Sequence, residues 1–149
     1  YYRKYLEDRT GRRPIPVWHA SRGKDYFIRM CEDYPYVAIG TTSAMEEGRR
    51  IRGNPMILKW FIDQAHSVGT RIHGLGFTDT IFLPFSKFDS VDSTTWLSGS
   101  RFGQIYFFNG KQMIYRNPPQ GMRAKNHDLS NRHNFNEWIK FQRYAERYL

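Results

Sequence analysis

A single cysteine, Cys31, stands in 149 residues. That excludes an intrachain disulfide and a zinc site built on a cysteine cluster, and it fits a reducing, cytosolic compartment. No apolar run approaches the ~20 residues of a membrane-spanning helix, so neither a span nor a membrane partner is expected. Acidic residues are also scarce: 14 Asp and Glu against 23 Lys and Arg leave a net charge of +9. Such a balance points to a polyanionic partner, nucleic acid first. The chain opens at Tyr1 with neither methionine nor a signal-like apolar segment, so an excised domain or a fragment is expected.

Aromatic residues are plentiful, with 10 Tyr, 11 Phe and 4 Trp. They can fill a core, or stack on bases at a basic surface. Length predicts one domain over 1–149. An N-terminal helix over 1–12 would carry Tyr1, Tyr2, Tyr5 and Leu6 on one face and stop at Gly11. "RRPIPVWHAS" reads as a strand ending near His19. "RGKDYFIRMCEDY" reads as a helix with Phe27, Met30 and Cys31 inward, and "PYVAIGTT" as a second strand. "GNPMILKWFIDQAHSVG" is the clearest helix, with Asn54 as N-cap, Pro55 in the first turn and Gly69 as the stop. "TRIHGLGF" and "KFDSVDS" follow as strands, with a helical turn near "TDTIFLPF" between them. The alternating order predicts an α/β fold with a parallel sheet, part of a (β/α) barrel.

Beyond residue 103, "QIYFFNGKQMIY" reads as a hairpin over 104–116, its Asn109-Gly110 pair suiting a type I′ turn. Residues 117–133 read as a basic loop, and 134–149 as a helix that Asn134 and Glu137 would open as a capping box.

In a parallel β/α barrel, functional groups gather where strands end. Those positions are His19, then Gly40 and Thr41, then His73 and Gly74, then Asp92. Two aspartates compete at the last strand. Side chains alternate faces along a strand, so Asp89 and Asp92, three apart, point oppositely. Asp89 enters the strand and Asp92 leaves it, which favours Asp92 as the catalytic carboxylate. Each position also has a structural reading. Asp92 before Ser93 and Thr94 suits a cap or turn, His19 suits a hydrogen-bonded structural role, and the glycines suit turns.

Four segments resemble the tRNA-guanine transglycosylase family, including its archaeal and deazapurine-in-DNA branches. "PVWHAS" resembles a strand whose Gln-Gly contacts the base. "YVAIGTTSAME" resembles the "YAIGG" strand and loop, and "RIHGLGF" resembles "YLMGVG". "VDSTTWLSGSRFGQIYFFNGK" resembles "FDCVxPTRxGRxG" with its following hairpin, and aligns without a gap when Asp92 takes the nucleophile's place and Gly103 the final glycine. The resemblance covers roughly residues 14–115. It implies the C-terminal half of a barrel that exchanges guanine for a 7-deazaguanine in tRNA or DNA through an aspartate nucleophile, with no cofactor.

By the same resemblance, His19, Gly40, Thr41, His73 and Gly74 would meet the base, and Ser98, Gly99 and Arg101 would lie near the phosphate backbone. Arg116, Arg123, Lys125 and Arg132 in the basic segment are further nucleic-acid-binding candidates. The family's zinc module and the barrel's N-terminal half have no counterpart here, so a preceding segment, a second chain or a dimer would have to complete the barrel. Two other readings stay open: a non-catalytic nucleic-acid-binding module of the same fold, and a metal-dependent hydrolase using His19, His73 and Asp92.

Overall fold

The computed structural model describes residues 2–40, 50–51, 53–93, 96–97, 99, 102–117 and 127–148. These residues gather in two compact units, Tyr1–Gly76 with Phe88–Val91 and Phe77–Lys87 with Asp92–Leu149.

The first unit contains α1 (Tyr2–Thr10), β1 (Val17–Trp18), a 3-10 turn (Ala20–Arg22), α2 (Lys24–Asp33), β2 (Tyr36–Gly40), α3 (Pro55–Ser67), β3 (Arg71–Leu75) and β4 (Ser90–Val91). The four strands form one sheet in the order β1-β2-β3-β4, each parallel to its neighbour. The α/β class and the parallel sheet therefore match expectation. Helix α3 obeys its local signals at both ends. Asn54 Oδ1 accepts from the Met56 and Ile57 N–H groups at 3.0 and 3.3 Å. At the other end Gly69 takes φ 75°, the Gly69 N–H donates to the His66 carbonyl, and the Thr70 N–H donates to that of Ala65. That is a Schellman motif, which needs a left-handed residue where glycine stands.

Burial is heaviest on one face of this sheet, although Ala38 on the other face is also buried. Val37, Ile39 and Ile72 are fully buried and Trp18 nearly so. They share one parity of the register, toward α2 and α3. Trp18, Phe27 of α2 and Phe61 of α3 form an aromatic triangle with centroids 4.5–5.7 Å apart, in the edge-to-face and tilted geometries that ring quadrupoles favour. The Trp18 indole N–H donates to the Gly23 carbonyl at 2.9 Å, so burying the ring leaves no polar atom unsatisfied. Phe27, Met30 and Cys31 lie inward on α2 as their spacing predicts. Burial pushes the Cys31 thiol up to about 11, leaving it protonated at neutral pH. Helix α1 keeps Tyr2, Tyr5 and Leu6 largely exposed.

The second unit includes α4 (Leu83–Ser86), the antiparallel hairpin of β5 (Ile105–Phe108) and β6 (Met113–Arg116), and α5 (His127–Tyr148). Two expectations fail here for physical reasons. The hairpin does not close with a two-residue type I′ turn. Phe108 pairs with Met113, leaving a four-residue loop, and Asn109 does not take the positive φ that such a turn requires. Its side chain instead accepts from the Lys111 and Gln112 N–H groups, both at 3.0 Å, an Asx turn.

Helix α5 begins at His127, not at Asn134. Residues 127–133 are thus helical rather than part of a basic loop, and Asn134 and Glu137 are interior residues rather than a capping box. Both are buried because they serve β5. The Tyr106 N–H donates to Asn134 Oδ1 at 2.9 Å and Asn134 Nδ2 donates to the Gln104 carbonyl at 3.1 Å. The Phe108 N–H donates to Glu137 Oε2 at 2.8 Å, and His133 Nε2 donates to the Tyr106 carbonyl at 2.9 Å. Side chains of one helix thereby satisfy the outer edge of β5, as a further strand would, and edge protection is what such a strand needs.

Candidate functional site

The register defines a second face on the parallel sheet, opposite the helices. Val17, Ala38, His73 and Ser90 stand side by side across β1 to β4. One step earlier lie Tyr36 and Arg71, and one step later Gly40 and Leu75. His73, Tyr36 and Ser90 are half-buried here and joined. His73 Nδ1 lies 2.5 Å from Ser90 Oγ, and the same Oγ hydrogen-bonds the Tyr36 hydroxyl. The Arg71 guanidinium stacks 4.6 Å from the Tyr36 ring centroid.

His19 follows β1 directly and caps the 3-10 turn, its carbonyl accepting from the Arg22 N–H at 2.9 Å. The imidazole lies over Gly40. A Cβ at position 40 would stand 2.7 Å from Cε1 and 2.8 Å from Nδ1 of His19, closer than real contacts allow. The space that glycine leaves at the end of β2 is therefore filled by the His19 ring. Gly74 is buried and shares the parity of Ile39 and Val91, so its absent side chain faces the helix layer. Thr41 lies outside the described residues.

Asp89 and Asp92 flank β4 as the sequence suggests. Asp89 Oδ2 accepts from the buried Ile72 N–H at 2.7 Å and from His66 Nε2 of α3 at 3.0 Å. Burial alone would raise its carboxyl, but these two donors, His66 and Arg71 charge included, hold it below the usual carboxylate range. Asp89 thus fastens β4 to β3 and α3. With Asp89→Ala the Ile72 amide loses its acceptor, and a loss of about 1–3 kcal/mol is expected in urea unfolding at pH 7. The charge-dependent part is present above the unfolded carboxyl pKa near ~3.9 and is lost as pH falls through the lower folded value. The stability gap between wild type and Asp89→Ala should therefore narrow on acidification to pH 3. Asp92, the first residue beyond β4, is exposed.

In the second unit Gly99 is buried. A Cβ there would fall 2.5 Å from the Tyr106 ring and 2.8 Å from Asn134 Nδ2, so packing alone accounts for this glycine. Arg116 ends β6 with its guanidinium 5.4 Å from the Phe107 centroid, and Arg132 is exposed on α5. Ser98, Arg101, Arg123 and Lys125 lie outside the described residues. Among the described residues no group of three or more His, Cys, Asp or Glu could hold a metal ion. No helix among them is long and apolar enough to cross a membrane.

Sequence reasoning reached His19, Gly40 and His73 but passed over Tyr36, Arg71 and Ser90. The parity of each strand could have signalled them, but only the register between strands joins them to His73. The first unit is, in class, a parallel α/β module with one helix-covered face and, on the other, a mixed face where Tyr36, Ser90 and His73 are hydrogen-bonded across three strands. Comparisons with protein-family models, curated proteins and solved structures return no match to this chain.

Proposed function

We propose that the chain is a transglycosylase-like module, part of a (β/α) barrel, that recognises a guanine or 7-deazaguanine base in tRNA or DNA and exchanges it through Asp92. The observation that carries this reading is the sheet face opposite the helices, where His73, which lies in the middle of β3 and not at its end, is tied to Ser90, and His19 covers Gly40 at the end of β2. The strand order supports the barrel, because β1 to β4 are neighbours in sequence order with no reversal, the winding that a barrel uses. Among the described residues β1 and β4 each pair on one side only, which suits completion by a further β/α half or a second chain.

In this chemistry the Asp92 carboxylate attacks the anomeric carbon of a nucleotide and forms a glycosyl ester as the base leaves. The incoming base reverses the step. Wild-type protein incubated with a tRNA transcript or a guanine-containing DNA duplex should give an adduct stable to denaturing electrophoresis, and Asp92→Asn should abolish it. An adduct that survives in Asp92→Asn would refute the assignment. Arg116 over Phe107 and exposed Arg132, with the net charge of +9, favour the non-catalytic nucleic-acid-binding module as the second reading. Salt-sensitive binding without any adduct would select it.

A further inference from the structure

We infer that a small cavity beside the ends of β1 and β2 is a phosphate subsite, in which Lys24 and Arg50 hold one phosphate of a nucleotide. The inference rests on the nucleic-acid part of the reading above and not on Asp92. The cavity lies within the first unit and measures about 180 Å³. Its lining comes from the end of β1 and the segment after it, the residues before α3, and the first two turns of α3. Trp18 and Phe61 form its buried aromatic side, and Ile51 and Ile57 add aliphatic surface. In parallel α/β sheets ligands gather outside the carboxyl ends of strands. Trp18 also immediately precedes His19, whose ring covers Gly40, so the cavity adjoins the strand end at which base recognition is proposed.

Charge decides the class of occupant. Lys24 and Arg50 are exposed and are the two ionisable residues of the lining. Asp25, the acidic residue in the first turn of α2, is exposed and is not part of the lining. Two cations with no carboxylate opposite them favour an anion, and ammonium and guanidinium donors suit phosphate oxygens in particular. The Lys24 ammonium is placed by Trp60, 4.3 Å from the ring centroid. One contact with a ring face leaves it N–H donors for a phosphate. Size narrows the occupant further. Pockets that enclose a whole drug-sized ligand run to roughly 300–1,000 Å³. A cavity of about 180 Å³ takes a charged group and the atoms next to it, which fits a phosphate whose base lies outside. A free nucleotide and a polynucleotide backbone both present that group.

The Trp18 indole N–H donates to the Gly23 carbonyl, and both residues line the cavity. An occupant therefore shifts the Trp18 indole resonance in proton–nitrogen correlation spectra, a readout that needs no adduct. The probes are guanosine 5′-monophosphate and a guanine-containing DNA duplex, with guanosine as the phosphate-free control. The monophosphate or the duplex should shift the resonance saturably, added salt should weaken the effect, and guanosine should leave the resonance in place. A shift with the duplex identifies a backbone phosphate, and a shift with the monophosphate alone identifies a free nucleotide. Lys24→Gln and Arg50→Gln should each weaken binding on the order of 10-fold, with an unchanged urea midpoint as the check on folding. No shift with either probe, an equal shift with guanosine, or wild-type affinity in the double variant would overturn the subsite. A shift in a protein that forms no adduct would keep the subsite and remove the Asp92 step.

Discussion

Asn134→Ala is expected to destabilise the second unit by about 2–5 kcal/mol, since two buried backbone groups lose their partners at once. Asn134 is fully buried. Its oxygen serves the Tyr106 N–H and its nitrogen the Gln104 carbonyl, a pairing only a carboxamide supplies. Asn134→Asp makes the sharper test. It keeps an acceptor for Tyr106 but turns a carboxylate oxygen toward the Gln104 carbonyl, so it should be no more stable than the alanine variant despite its matching shape. Glu137 differs: burial raises its carboxyl, yet Lys140, the Phe108 N–H and His133 outweigh burial and hold it below the usual range. Amide hydrogen exchange at Tyr106 and Phe108 reads both sites directly. Protection at Tyr106 that survives in Asn134→Ala would show that the helix does not protect this strand edge.

Phe61→Ala should cost the first unit about 3–5 kcal/mol through lost burial and the cavity left behind. Phe61 touches both other rings of the aromatic triangle, 4.5 Å from Trp18 and 4.8 Å from Phe27, and is 2% exposed. Phe61→Leu keeps most of the apolar volume and should lose much less. Trp18 and Trp60 belong to this unit and Trp96 and Trp138 to the other. In a background with Trp96 and Trp138 changed to Phe, fluorescence during urea unfolding reports the first unit alone. A midpoint unmoved by Phe61→Ala would mean that the triangle does not hold the sheet and helices together.

The legible parts of this protein are those governed by neighbours in sequence. The Asn54 cap, the Gly69 stop, the inward face of α2 and the alternation that makes a parallel sheet all depend on residues within a few positions of one another. The Asn109-Gly110 turn and the opening of α5 were misread for the converse reason. Asn109 had several turn geometries open to it, and loop length across the hairpin chose the Asx turn. Asn134 and Glu137 have the spacing of a capping box, yet a capping residue and an interior residue that reaches a strand edge look alike in one dimension.

What the sequence by itself determined is an α/β chain with strong helix signals, one buried thiol, a basic surface and a short set of polar strand-end residues. Tertiary structure alone decided which side chains meet. It set His19 over Gly40, linked Tyr36, Ser90 and His73 across three strands, and gave Asp89 to Ile72 and His66. Hydrogen bonds between strands depend on register. Register is fixed by how the whole sheet packs against its helices, and no single segment carries that information.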